Sequence, residues 1–332
     1  MEYRKLGNTD MFVSVISLGG WALASDRNWG EQDKATSIAT VHAALDAGVN
    51  FFNTAEGYGK EGASERVLGE ALAGHRHEVV IATKIEVDHN YLSADETIQA
   101  CERSLQRLNT DYVDVYQIHW PSRVTPITET VEAMEKLRQQ GKVRTIGVAN
   151  FGVQDLSDLL EVGRADSNEL PYSLVFRAIE YDIADKCVAN SIGILPYSPL
   201  AQGLLAGKFS SADEVPVARA RTRIFSGERS LARHGEAGCE EEAFAAIDEI
   251  RGICGKIRQP MARVALAWLL HQPGVTSVIA GARNPEQLQQ NVQAAALALR
   301  PEIVAELAQV TDEVKQKLGP NPDPWQSDAR PR

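Results

Sequence analysis

The sequence predicts an α/β fold: a (β/α)8 TIM barrel with an N-terminal hairpin and an extra C-terminal helix. Short apolar runs alternate with amphipathic helical patterns, and the pair recurs eight times along 332 residues. Strands alternating with helices make a parallel sheet, and eight such units over this length close it into a barrel. Barrels of roughly 200 to over 400 residues form around one core, so residues 1–332 are read as a single domain.

The elements follow in chain order. Residues 3–13 contain the turn cluster Gly7-Asn8-Thr9-Asp10, expected to make a hairpin across the barrel bottom. The first barrel strand is read over residues 13–18, ending at Gly19-Gly20, and Ile38, Val41 and Leu45 then share one helical face. Phe51-Phe52 ends at Asn53 before a helix through Val67 and Leu72. Residues 79–83 precede a helix carrying Ile98, Cys101, Leu105 and Leu108, for which Ser93 and Glu96 form a capping box. After the strand at 113–118, Thr125-Pro126 supplies an N-cap and a first-turn proline. Further strands are read at 145–148, near Leu170, at 192–196 and at 275–279. The stretch from Gly203 to about Glu240 is long, polar and arginine-rich, with Arg219, Arg221, Arg223, Arg229 and Arg233. It is either a lid over the active-site face or a solvated loop. The tail from Gly319 is irregular.

Composition narrows the function. A net charge of −11 excludes a general polyanion surface, so no nucleic acid is expected and a small molecule is the expected partner. Cys101, Cys187, Cys239 and Cys254 are scattered, without a CxxC pair or zinc-ligand spacing, so no metal site and a reducing, cytoplasmic setting are expected. No apolar run approaches the ~20 residues needed to span a bilayer, and no membrane association is expected.

Barrels of this kind place their active sites at the carboxyl ends of the strands, and there four residues stand out: Asn53, Tyr58, Lys84 and His119. Singly, each has a plain structural reading, as turn former, loop aromatic, surface charge and buried histidine. Their places after strands two, three and four converge on one rim, which favours a shared site.

The run Asn53-Thr54-Ala55-Glu56-Gly57-Tyr58-Gly59, with Ser64-Glu65 and Leu68-Gly69, resembles the aldo-keto reductase signature DTAxxYG followed by SExxLG, departing at its first residue. Asp114 to Trp120, Ile146-Gly147-Val148-Ala149-Asn150-Phe151 and Pro196-Tyr197-Ser198-Pro199-Leu200 resemble further blocks of that family, and the resemblance runs from Tyr3 to about Ala296. It implies reversible hydride transfer between NAD(P)H and a small-molecule aldehyde or ketone, or the corresponding alcohol. Such a carbonyl develops alkoxide charge and needs a proton donor, and a phenol of pKa about 10 serves only if its phenolate is stabilised. Tyr58 is the implied acid, Lys84 the stabilising ammonium and His119 the group that orients the carbonyl. The resemblance implies a carboxylate where this chain has Asn53. Turnover is therefore expected to be weakened, and Asn53→Asp to raise it.

For the cofactor, the resemblance implies Gly20 and Trp21 at the first strand's end, Asn150 and Glu169 toward the carboxamide, and Tyr197 against the nicotinamide ring. Ser198, Pro199, Leu200, Gln202 and Gly203 follow in the next loop. Glu169 replaces a common glutamine and, when ionised, can only accept. Gly281, Arg283, Gln287, Gln290 and Asn291 are implied at the adenosine-phosphate end. There an arginine beside a helix start suits a 2′-phosphate, so NADP(H) is expected over NAD(H), with NAD(H) still possible. Asn284 to Gln287 also reads as a plain capping box.

Two other readings compete. Gly57-Tyr58-Gly59-Lys60-Glu61-Gly62 fits the G-x-G-x-x-G of a Rossmann dehydrogenase, but the next strand ends at Lys84 rather than at an acidic ribose ligand. A cofactor-binding regulatory or sensor protein, as the family's potassium-channel β subunits illustrate, would have little need of Tyr58, Lys84 and His119 together.

Overall fold

In the computed structural model, which describes residues 1–26, 28–85, 92–328 and 330–332, the chain opens with an antiparallel hairpin of β1 (Tyr3–Lys5) and β2 (Phe12–Ser14). Leu6, Met11 and Val13 are buried in one apolar cluster with Phe51, Val115 and Ile279, so the hairpin plugs the amino end of the barrel.

Among the described residues, eight parallel strands form the barrel wall. They are β3 (Ile16–Gly19), β4 (Phe51–Asn53), β5 (Val80–Ile85), β6 (Val113–Ile118), β7 (Val143–Ala149), β8 (Ser167–Pro171), β9 (Gly193–Tyr197) and β10 (Val278–Gly281). Neighbours pair in chain order, β10 pairs with β3, and the bridge Ile194↔Val275 closes the ring. Around it lie α1 (Lys34–Asp46), α2 (Ala63–Ala71), α3 (Ala94–Leu108), α4 (Ile127–Gln139), α5 (Val153–Val162), α6 (Ile183–Ala189), α7 (Glu240–Lys256), α8 (Met261–Leu270) and α9 (Pro285–Val292). Two helices, α10 (Pro301–Gln309) and α11 (Asp312–Leu318), follow where one was expected.

Several boundaries shift for local reasons. Val13 belongs to the hairpin, and the barrel strand starts only at Ile16, because the Asn50 side chain takes the Ser14 N–H at 2.7 Å and breaks the run. β5 continues to Ile85, which puts Lys84 inside the strand rather than beyond it. Pro126, not Thr125, is the N-cap of α4, since Thr125 donates its N–H to the Ser122 hydroxyl in the preceding turn. Ser93 does cap α3, accepting from the Glu96 N–H.

The arginine-rich stretch between β9 and α7 is a packed strap. Ala220, Ile224 and Phe225 are buried, and Arg223 donates to the carbonyls of Leu318 (2.7 Å) and Asn321 (2.9 Å). The tail crosses the barrel mouth: the Arg330 guanidinium lies 3.4 Å from the Trp120 ring centre, and the Arg332 carbonyl accepts from the Gln154 N–H at 2.7 Å. Gly152 permits this approach, because a Cβ there would fall 2.3 Å from the Arg332 oxygen.

Candidate active site

Three strand ends deliver polar side chains into the mouth, each almost wholly buried: Asn53 from β4, Lys84 from β5 and Glu169 from β8. An ammonium removed from water needs a counter-charge and saturated hydrogen bonds. The Lys84 Nζ donates to Asn53 Oδ1 (2.9 Å), the Thr54 carbonyl (3.0 Å) and the Tyr58 hydroxyl (3.2 Å), and lies 3.1 Å from Glu169 Oε1. Asn53 turns its other end to the acid, donating from Nδ2 to Glu169 Oε2 at 2.8 Å. The surface-charge reading of Lys84 is overturned.

Tyr58 comes from the loop after β4, which its own backbone fixes: the Tyr58 N–H donates to Ala55 O and the Ser64 N–H to Tyr58 O, both at 3.1 Å. Gly59 has φ +76°, and a Cβ there would sit 2.6 Å from Ala24 Cβ, so the tight turn beside the phenol requires glycine. Trp21 stacks on Tyr58 with ring centres 6.0 Å apart and is itself held by a 2.6 Å bond from its Nε1 to Asp26. His119 stands edge-on to the phenol, with centres 5.9 Å apart. The Asn150 amide donates to His119 O (3.0 Å) and accepts from the Tyr197 hydroxyl (2.9 Å), linking β6, β7 and β9 across the opening. Asn53, Tyr58, Lys84, His119, Asn150, Glu169, Tyr197 and Trp21 thus share one mouth.

Other motif residues are structural. A Cβ on Gly20 would meet Ser64 Oγ at 2.5 Å, so this glycine lets the first two strand ends approach each other. Glu65 is buried and takes hydrogen bonds from Thr83 (2.6 Å) and Arg107 (3.1 Å); burial pushes its carboxyl up against those bonds. Gly62, the last glycine of the Rossmann-like run, packs on the Arg107 side chain, 2.5 Å from where its Cβ would lie.

The second half of the rim follows β9 and β10. Ser198, Ala201, Gln202 and Gly203 all have positive φ, of 48°, 46°, 55° and 103°. Such strain clusters where a ligand is clamped. Pro199 is buried and Leu200 partly so within this turn. Gln202 is buried, and its Nε2 has no acceptor among the described residues. A buried donor of this kind calls for a partner, so the loop fits an extended polar cofactor such as NADP(H). Arg219, from the strap, donates to the Gln202 carbonyl at 3.4 Å, and burial together with the charge of Arg283 lowers its affinity for its proton. Arg219 is near enough to Arg283 to feel its charge, and two such cations suit an anion between them. Sequence reasoning noted Arg219 only as one loop arginine among five.

Arg283 ties itself to the loop before α1, donating from Nε to Gln32 Oε1 while the Gln32 amide donates back to Arg283 O, both at 2.9 Å. Asn284 caps α9 by accepting from the Gln287 N–H (2.9 Å), and Gln287 accepts from the Arg283 N–H (3.0 Å). The capping reading of Gln287 is therefore realised, although its Oε1 reaches one residue further back than a regular box. Asn291 donates to Gly281 O at 3.1 Å, and Gln290 is exposed on the same helix.

The model of the aldo/keto reductase family matches residues 15–312. Aldo-keto reductase YhdN of Bacillus subtilis is 33% identical, covering 87% of each chain, and the NADH-specific methylglyoxal reductase of Escherichia coli is 34% identical over 89% of this chain and 93% of its own. Among solved structures, the glycerol dehydrogenase AKR11B4 of Gluconobacter oxydans superposes with a TM-score of 0.79 at 30% identity, covering 96% of this chain and 97% of that one. An aldo/keto reductase of Klebsiella pneumoniae in complex with NADP and acetate gives 0.71 at 30% identity, covering 90% and 92%.

Proposed function

Because this chain belongs to the aldo/keto reductase family, we propose that residues 1–332 act as one NADPH-dependent oxidoreductase unit that reversibly reduces an aldehyde or ketone to an alcohol. The observation that carries the reading is the Tyr58 hydroxyl 3.2 Å from a buried Lys84 ammonium, beside His119. When bound, the nicotinamide supplies the hydride. Tyr58 gives its proton to the nascent alkoxide, and Lys84 favours the phenolate left behind. His119 aligns the carbonyl oxygen by hydrogen bonding, and Trp21 walls the pocket beside the phenol.

For the cofactor, Asn150, Glu169 and Tyr197 serve the nicotinamide end, with Gly20 and Trp21 nearby. Ser198, Pro199, Leu200, Gln202 and Gly203 form the central clamp, and Gly281, Arg283, Gln287, Gln290 and Asn291 form the adenosine end. The Arg283–Arg219 pair supports NADP(H) over NAD(H), and NAD(H) remains usable, in keeping with an NADH-specific relative. Relatives named for methylglyoxal and glycerol support small oxygenated carbonyls and polyols as the substrate class. Buried free thiols support a cytoplasmic setting, and among the described residues no helix is long and apolar enough to cross a membrane.

The test is NADPH oxidation over a panel of small aldehydes and ketones, with NADP-linked polyol oxidation as the reverse assay. Turnover that disappears in Tyr58→Phe supports the reading. Tight cofactor binding without turnover on any member of the panel would replace it with a sensor role.

A further inference from the structure

We propose that Glu169 is the positioning residue that holds Lys84 as an ammonium, with Asn53 as the amide bridge between them. The inference rests on the reading of Tyr58 and Lys84 given above. It is carried by three contacts at one buried point: Lys84 Nζ to Glu169 Oε1 at 3.1 Å, Lys84 Nζ to Asn53 Oδ1 at 2.9 Å, and Asn53 Nδ2 to Glu169 Oε2 at 2.8 Å.

The charges close. Lys84 is 0% exposed and Glu169 2% exposed, so neither is neutralised by water. An unpaired ammonium at that depth would give up its proton, and a neutral amine does nothing for a phenolate. Asn53 cannot supply the missing charge, because an amide offers only a dipole. Its orientation is nonetheless fixed. Turned the other way, the amide would aim its NH2 at the ammonium and its oxygen at the carboxylate, and both contacts would repel. The bridge therefore works only between a cation on β5 and an anion on β8.

This changes the expectation for Asn53. The carboxylate that the resemblance implies on β4 is already present on β8, so Asn53 is not a lesion in an otherwise standard site. Asn53→Asp alone would set a second carboxylate against Glu169 at about hydrogen-bond distance and remove the amide N–H that now joins the two side chains. The two carboxylates then repel each other and compete for the same ammonium, so nothing is gained at Lys84. Glu169 is also committed: Oε2 accepts from Asn53 and Oε1 is paired with the Lys84 ammonium, which leaves less of the carboxylate for the nicotinamide carboxamide.

Four proteins decide the matter: the parent, Glu169→Gln, Asn53→Asp, and the double exchange Asn53→Asp/Glu169→Gln. Each is assayed for carbonyl reduction across pH and, without cofactor, for phenolate formation by ultraviolet difference absorbance, with Tyr58→Phe subtracted to isolate Tyr58. Glu169→Gln should lower kcat about ten-fold or more. It should also move the alkaline limb of the pH–rate profile down by about one pH unit, because the Lys84–Tyr58 pair loses the anion that retains its proton. In the cofactor-free titration, less of that proton should leave from Tyr58. Asn53→Asp alone should not raise kcat, whereas the double exchange should restore much of the kcat lost in Glu169→Gln and return the titration toward the parent's.

An active parent whose Glu169→Gln variant keeps both kcat and the phenolate titration overturns the proposal while leaving the reductase reading intact. So does a ten-fold gain from Asn53→Asp alone. If Glu169→Gln does not fold, the double exchange still decides, since a folded double variant with neither activity nor the parental titration is equally fatal. A parent without turnover on any carbonyl removes the reductase reading, and the cofactor-free titration then judges Glu169 by itself.

Discussion

The two ends of this barrel handle buried charge in opposite ways. At the amino end, Asp114 is fully buried and accepts from Arg76 (2.7 Å), Arg144 (2.8 Å) and the Ile81 N–H (2.9 Å). Arg76 is held there by the Val79 and Tyr112 carbonyls and the Thr110 hydroxyl as well, so the carboxylate sits among donors fixed by the scaffold. At the carboxyl end, Lys84 donates to Asn53, Thr54 and Tyr58 and pairs with Glu169, and Tyr58 is itself only half-buried. Saturated charge holds strands together, while charge shared with a group open to the pocket can follow a moving proton. Asp114 and His119 lie in the same family-like sequence block, so the blocks alone do not separate scaffold from chemistry.

Substitution at each end should separate them. Tyr58→Phe is expected to lower kcat by ~10²–10⁴, the range for a lost general acid, with cofactor affinity changed only a few-fold. Thermal unfolding should move little, since Tyr58 is only half-buried and its ring keeps its packing in the phenylalanine variant. An unchanged kcat in a folded protein would remove Tyr58 from the mechanism. Asp114→Ala should do the reverse. Stripping a buried carboxylate from two guanidiniums is expected to cost about 3 kcal/mol in stability, the low end for such pairs because Arg144 remains 44% exposed. The fraction still folded should keep the parental kcat; a large loss of kcat without destabilisation would mean the two ends are coupled.

The contrast sharpens within the mouth, between its catalytic and phosphate-binding sides. Arg283→Ala should erase most of the preference for NADP(H), roughly ten- to hundred-fold, as expected for one charge-assisted phosphate contact. Part of that preference should survive, because Arg219 lies close enough to feel the charge of Arg283. Fluorescence titration of parent and variant with both cofactors checks this. Equal affinities in the parent would discard the assignment.

Much of this was legible in the sequence. Asn53, Lys84 and His119 stand at or near the ends of period-consistent apolar runs, and barrel geometry brings such ends together. The hairpin followed from its turn chemistry, and the strand at 113–118 from its alternation of Val113, Val115 and the residues beyond, although Asp114 and Gln117 interrupt the apolar pattern. What could not be read is whatever depends on non-adjacent strands meeting across the mouth. Glu169 was visible as a substitution, but nothing near it in sequence announces Lys84, and only closure of the ring sets β8 against β5. Likewise, Arg219 belonged to a stretch read as either a lid or a solvated loop, and only the packing of the strap brings it to the Gln202 carbonyl. The start of the first barrel strand was misread because an asparagine side chain from another loop took a strand N–H, which periodicity does not record.

The smallest expected effects come from the start of α9, where capping and cofactor binding are assigned to adjacent side chains. Asn284 accepts from the Gln287 N–H, so Asn284→Ala leaves that donor exposed and should cost about 1 kcal/mol, the usual loss for an N-cap. Gln287→Ala keeps the cap intact. It removes only the acceptor for the Arg283 N–H, a partly buried group that water can reach, and should cost no more than about 0.5 kcal/mol. If Gln287 also serves the adenosine end, the order inverts for binding: Gln287→Ala weakens NADPH more than Asn284→Ala does, despite the smaller change in stability. Chemical denaturation and NADPH titration of both variants give the two orderings directly. Matching orders, with the less stable variant also the weaker binder, would reduce Gln287 to a capping residue and leave Arg283 and Arg219 to hold the phosphate.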